Sequence, residues 1–314
     1  MAATNSTQRV NENLYLVDEY GVKYSADGKT LISVPKGLPY YEVLNGTEII
    51  GREAFMDSDV EMVLLPCTIT TIEYGGFLGC KALHTIKLPF SIREIGSLCF
   101  CGCESLRELW LPNIDVVNIR TFQDCRSLER VFIPSGVEVI DVAAFSACTS
   151  LRSILIPVMA RVEAYAFSEC QSLSDISLPL INDYLGENAL ERCESLTTVD
   201  YWYKYIPSRT FSGCKSLEVI RIKGHLEMVE DDAFYFCDNL RQVEFCTTPH
   251  PAMNHWANFF RFNDAQQIEF LIPTGTEEDF TKLYEYAKDN PKVKITVKDN
   301  PKQPEVEQED ILDV

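Results

Sequence analysis

The sequence predicts an α/β solenoid: one short unit of chain wound repeatedly about a single axis, with a parallel sheet along one side, short helical turns elsewhere and a cap at each end. Three observations carry this expectation. One phrase, F-x-x-C-x-x-L-x-x-I-x-L-P, is written as FLGCKALHTIKLP from Phe77, FCGCESLRELWLP from Phe100, FQDCRSLERVFIP from Phe122, FSACTSLRSILIP from Phe145 and FSECQSLSDISLP from Phe167, with weaker copies from Leu190, Phe211 and Phe234. Eight cysteines, Cys80, Cys103, Cys125, Cys148, Cys170, Cys193, Cys214 and Cys237, recur at spacings of 23, 22, 23, 22, 23, 21 and 23. A large apolar residue stands five positions before every aromatic anchor, from Ile50 before Phe55 to Val229 before Phe234, and a small residue immediately before it. A fixed period of this length makes the fold a stack of one repeated unit.

Within a unit, the last two apolar positions of L-x-x-I-x-L are two apart, the strand period, and the proline that follows ends the strand. The small residue and the cysteine are four apart, which predicts one face of a helical turn. Strands of successive units then pair in parallel about 4.8 Å apart, so that nine rungs make a curved sheet of roughly 40 Å.

The chain has 314 residues. A repeat array grows in one direction without splitting into domains, so a single elongated body is expected. Residues 1–48 read as a polar tail followed by a β-hairpin cap, LYLVDEY and GVKYSADGKTLISVP turning at Asp27-Gly28. The array runs over 49–246 in about nine units, and 247–297 hold a degenerate unit and a helix and strand cap. In that cap Thr276 is placed to open the helix EEDFTKLYEYAKD before the strand VKITV. Residues 298–314 are acidic, carry prolines and are expected to be disordered.

Net charge is −19, with 28 Lys and Arg against 47 Asp and Glu. That balance disfavours nucleic acid and anionic membranes and predicts a basic or neutral partner. No window reaches the apolar length of a membrane span, and the first residues lack the core of a signal peptide. With Met1 as the native start, the protein is expected in the cytoplasm; a trimmed leader would place it at the cell surface or outside the cell. Cysteines at one repeat position point the same way in every coil. They are therefore expected as buried free thiols, with disulfides as the alternative.

The pattern resembles the BspA-like, or Treponema pallidum type, leucine-rich repeat, whose unit is L-x-x-I-x-L-P-x-x-V-x-x-I-x-x-x-A-F-x-x-C, over residues 49–246. The resemblance implies a leucine-rich repeat right-handed superhelix with the sheet on its concave face. It also implies bacterial or protozoan origin and, for exported members, adhesion to host or microbial proteins. The departures are a first unit with one residue fewer between Phe55 and Val60, Leu190 in place of an aromatic anchor, and Trp202, Lys223 and Cys246 in place of the strand-ending proline.

No nucleotide loop, nucleophile elbow, zincin or kinase motif is present, so no catalytic residue and no cofactor are expected. Cys246, His250 and His255 have metal-like chemistry but lack a fourth ligand at standard spacing, so they read as a loop. Of Cys99, Cys101 and Cys103, only Cys101 has no repeat role, and it reads as a surface thiol. In YWYKY, Tyr201 to Tyr205, core filling is weighed above ligand contact.

The informative positions are the outward columns of the sheet. Trp110, Phe132 and Leu155 are consecutive in one, after Lys87; Glu108 and Arg130 are consecutive in the other. Aromatics and arginine anchor interfaces, and large apolar residues rarely line up on a free surface. The expected function is a non-enzymatic module binding a partner protein there, as a monomer or homodimer. A structural or self-assembly role is the alternative from another class.

Overall fold

In the computed structural model, which describes residues 9–10, 15–180, 184–251, 253, 256–259 and 267–298, each unit of the repeat closes one coil of a parallel β-solenoid of about 11 turns. The expected strands line up as a first ladder, but not as the single nine-rung sheet expected: among the described residues its hydrogen bonding is broken into sheets of three, two, two and five strands, with Trp110 and Phe132 in one and Leu155 in the next. Met62–Leu64 pairs with Thr85–Ile86, Glu108–Trp110 with Arg130–Phe132, Ser153–Leu155 with Asp175–Ser177, and Thr198–Tyr201 with Val219–Ile222, all parallel and in register one unit apart. Identical letters of successive units are thereby neighbours in space.

A second parallel ladder was not foreseen. The large apolar residue five before eight of the nine anchors is the inward member of a two-residue strand: Ile50 pairs with Ile72, Ile72 with Ile95, Val117 with Ile140, and Ile140 with Val162, while Leu185, among the described residues, makes only an isolated bridge to Val162. Two residues are too few to show alternation, so the sequence carries the apolar column but not its strand character.

The third side of the coil corrects the expectation of a helical turn. The residues two before and two after each of the nine anchors have positive φ, for example Ala143 (55°) and Ala147 (59°) around Phe145, and Tyr165 (59°) and Glu169 (63°) around Phe167. A left-handed residue at every fourth position stops a helix from propagating. The N–H groups instead alternate in their partners. Ala144 N donates to Asp141 O (3.0 Å) and Ser146 N to Ala143 O (3.1 Å), within the coil. Phe145 N donates to Ala166 O (2.8 Å) and Ala147 N to Ser168 O (2.8 Å), in the next coil. Backbone hydrogen bonds therefore tie the coils together along all three sides, which offsets the roughly 1–2 kcal/mol that each left-handed L-residue costs.

The interior is a column of stacked rings. Phe77–Phe100, Phe100–Phe122, Phe122–Phe145 and Phe145–Phe167 centroids are 5.3, 5.5, 5.2 and 5.5 Å apart and nearly parallel. Leu190 interrupts the column, and Tyr201 fills in edge-on against Phe211 at 5.9 Å. Stacking resumes through Phe211, Phe234 and Phe259.

At one end, Tyr15–Val17, Lys23–Ser25 and Thr30–Ser33 form an antiparallel meander, turning at Gly28 (φ 71°), and Leu31 pairs with Ile50 to join the second ladder. At the other, Ile268–Pro273 and Val293–Lys298 add two parallel rungs to the first ladder. Between these strands the 3-10 turn Glu277–Phe280 leads into the helix Thr281–Lys288, with Phe280 and Leu283 inward. Thr276 does not cap that helix: its hydroxyl donates back to Pro273 O at 2.7 Å, and the helix starts five residues later.

Candidate functional site

Because side chains alternate along a strand, Leu109, Val131 and Ile154 are buried and their neighbours face out. Trp110 is 62%, Phe132 39% and Leu155 76% exposed. Trp110 and Phe132 are register partners whose rings lie 3.6 Å apart, centroid to centroid, at 12°. Glu108 fixes this pair from the side: one carboxylate oxygen accepts from Trp110 Nε1 at 3.1 Å, the other from Arg130 at 2.9 Å. Lys87 is exposed one unit before Trp110. The six residues singled out in the sequence thus share one face, and no described residue covers the apolar three.

Some of this surface escaped the sequence reading. In the coil of Leu155, Val158 and Met159 are exposed at the corner after the strand, and Leu180 stands exposed in the next coil at the position matching Val158. Reading the residue after each strand-ending proline as a further outward column would have found Val158 and Leu180.

The YWYKY stretch divides. Tyr201 and Tyr203 are core, whereas Trp202 and Tyr205 are exposed. The Tyr205 hydroxyl donates to Glu227 at 2.8 Å, and the Tyr201 hydroxyl donates to Tyr205 O.

The eight repeat cysteines are free and buried. Burial pushes their thiols upward, Cys80 to about 11 and Cys170 and Cys214 to about 12. Cys101 is half-buried and Cys67 exposed. His250 is exposed, and His255 lies outside the described residues.

A shallow depression of about 360 Å³ lies between the second ladder and the turn side, with the Arg52 guanidinium 4.2 Å over the Tyr74 ring. The groups displaced furthest from their ordinary ionisation, the core thiols and Tyr24, Tyr41, Tyr201 and Tyr203, are not in it. Among the described residues no helix is long and apolar enough to cross a membrane.

A stack of in-register coils around a column of buried rings defines a solenoid repeat protein. The BspA type leucine rich repeat region matches in 6 copies over residues 48–160 and 144–250, and the chain belongs to that family. It is similar to a leucine-rich repeat protein from Eubacterium ventriosum whose crystal structure is 25% identical, with a TM-score of 0.54, covering 59% of this chain and 51% of that one. The chain therefore spans about half the length of the Eubacterium protein. The Treponema pallidum leucine rich repeat protein is 19% identical, covering 74% of this chain and 90% of that one, with a TM-score of 0.31. A leucine-rich repeat protein from Bacteroides ovatus is 19% identical over 95% and 99%, with a TM-score of 0.41. No curated protein matches the chain. The family implies a protein-interaction module, and its members are typically non-enzymatic scaffolds.

Proposed function

We propose that this chain binds a partner protein on the outward face of the first ladder, through Trp110, Phe132 and Leu155, with Glu108, Arg130 and Lys87 around them. The observation that carries the reading is the stacked, exposed Trp110–Phe132 pair held at 3.6 Å by a carboxylate that bonds both Trp110 and Arg130. A backbone array preorganised by inter-coil hydrogen bonds has no loop to order on binding, which lowers the entropic cost of contact at this site.

The test is affinity capture with the wild-type chain beside the variant Trp110→Ser, Phe132→Ser, Leu155→Ser. All three side chains are outward, so the variant folds, and at least one specifically captured protein is lost. Retention of every captured protein by the variant disposes of the site. Sedimentation of the chain alone at increasing concentration separates partner binding from self-assembly: a dimer that dissolves in the triple variant assigns the strip to assembly instead.

A further inference from the structure

Charge around the strip has the opposite sign to that of the chain, and this fixes the kind of partner segment that fits. On the three rungs bearing Trp110, Phe132 and Leu155, together with Lys87 on the rung before, the entry and outward positions carry four cations, Lys87, Arg107, Arg130 and Arg152. The same positions carry two anions, Glu108 and Glu129. The balance is 4 − 2 = +2 on a chain of net charge −19. Arg130 is neutralised by Glu108 at 2.9 Å. Lys87, Arg107 and Arg152 are exposed and enter no ion pair among the described residues.

Their placement is as informative as their number. Arg107 and Arg152 enter the strands that end in Trp110 and Leu155, three residues before each, roughly 10 Å along the strand. The entry column of the three rungs reads Arg107, Glu129, Arg152, so two unpaired cations flank one carboxylate alongside the apolar column, with Arg130 between the two columns. Asp175 on the next rung, and the Asp200–Arg221–Glu244–Lys298 ion ladder beyond it, bound the cationic stretch.

We propose that the strip receives an acidic amphipathic segment of a partner protein, its apolar side chains on Trp110, Phe132 and Leu155 and its carboxylates toward Arg107 and Arg152. This rests on the binding-site reading above and names the chemistry of what binds. The chain's overall charge alone points to a basic or neutral partner. The local field at the contact decides instead, because exposed charges more than about 8 Å away are screened at physiological salt.

The probe is a random library of displayed peptides about twelve residues long, selected on the wild-type chain and counter-selected on the Trp110→Ser, Phe132→Ser, Leu155→Ser variant. The expected result is recovered sequences enriched in Asp and Glu together with aliphatic or aromatic residues. Labelled synthetic copies are then titrated by fluorescence anisotropy. Arg107→Gln with Arg152→Gln weakens them at least about tenfold, and raising salt does the same. Sequences that depend on the strip but show no acidic bias, or that ignore the arginine variant, overturn the acidic-segment proposal and leave the strip standing. Failure to recover sequences that discriminate wild type from the triple variant overturns the strip and this proposal with it.

Discussion

The Cys148 thiol donates to the carbonyl oxygen of Phe122, one coil back, at 3.1 Å. The same bond joins each of the eight repeat cysteines to the preceding anchor, from Cys80 to Phe55 O at 3.0 Å to Cys237 to Phe211 O at 2.9 Å. Each anchor carbonyl already accepts one backbone N–H from its own turn, as Phe122 O does from Cys125 N at 3.2 Å. A buried carbonyl has two lone pairs, and the thiol serves the second. Cysteine fits because it is small, apolar and still a donor. Ser58 holds this place in the first coil.

Substitution at Cys148 is therefore expected to order by donor and volume. Cys148→Ser keeps a donor and costs about 1 kcal/mol. Cys148→Ala loses the bond and leaves a gap, at about 1–2 kcal/mol, and Cys148→Leu overpacks the column at about 2–3 kcal/mol or more. Urea midpoints of the three variants check the order; an alanine variant as stable as wild type would show that the thiol bond contributes nothing.

Alkaline pH is expected to unfold the protein steeply. Thiols raised in the folded state, such as Cys80 at about 11 and Cys170 and Cys214 at about 12, stay protonated there when the unfolded chain's thiols, near 9, have begun to ionise. Their contribution is complete below the unfolded value and is lost as pH rises through the folded one. Each such thiol removes about 1.4 kcal/mol per pH unit across that window. Circular dichroism from pH 8 to 11 should show a sharp loss just above pH 9, whereas a flat profile to pH 11 contradicts the assignment.

The ring column predicts graded damage at Phe145. Phe145→Ala removes a ring stacked at 5.2 and 5.5 Å on its two neighbours and should cost about 3–5 kcal/mol. Phe145→Leu should cost less than half of that, because Leu190 already occupies the equivalent place. Equal losses for the two variants, read from denaturant midpoints, would mean that stacking rather than volume governs the site.

Gly96 stands where two coils touch. A Cβ there would lie 2.5 Å from Tyr74 N and 2.7 Å from Glu73 C, and backbone cannot yield as a side-chain tip can. Gly96→Ala should destabilise by about 2 kcal/mol or more. Ala143→Gly, at a φ of 55°, should fall within about 1 kcal/mol of wild type, since relief of the left-handed strain offsets the entropy of glycine. Thermal melts of the two variants side by side give the comparison.

Glu108→Gln should leave stability within about 0.5 kcal/mol, since the Arg130 pair is exposed. It should nevertheless alter tryptophan emission, because the group that holds the Trp110 indole loses its charge. A change in stability beyond 1 kcal/mol would reassign Glu108 to a structural role.

What the letters alone determined is the stack. A period of 22 or 23 residues makes equivalent positions spatial neighbours, so the inward apolar columns, the free thiols and the outward row Trp110, Phe132 and Leu155 could all be read in one dimension. What only the tertiary structure decided lies wherever a residue's partner is in the next coil. The second ladder has strands too short to show a period. The turns around the anchors exchange every second hydrogen bond with a neighbour, and so they are not helices. The parallel stacking of the Trp110 and Phe132 rings, the Glu108 carboxylate that bonds both Trp110 and Arg130, and the unpaired state of Arg107 and Arg152 depend on side-chain conformations in three dimensions, which spacing does not encode.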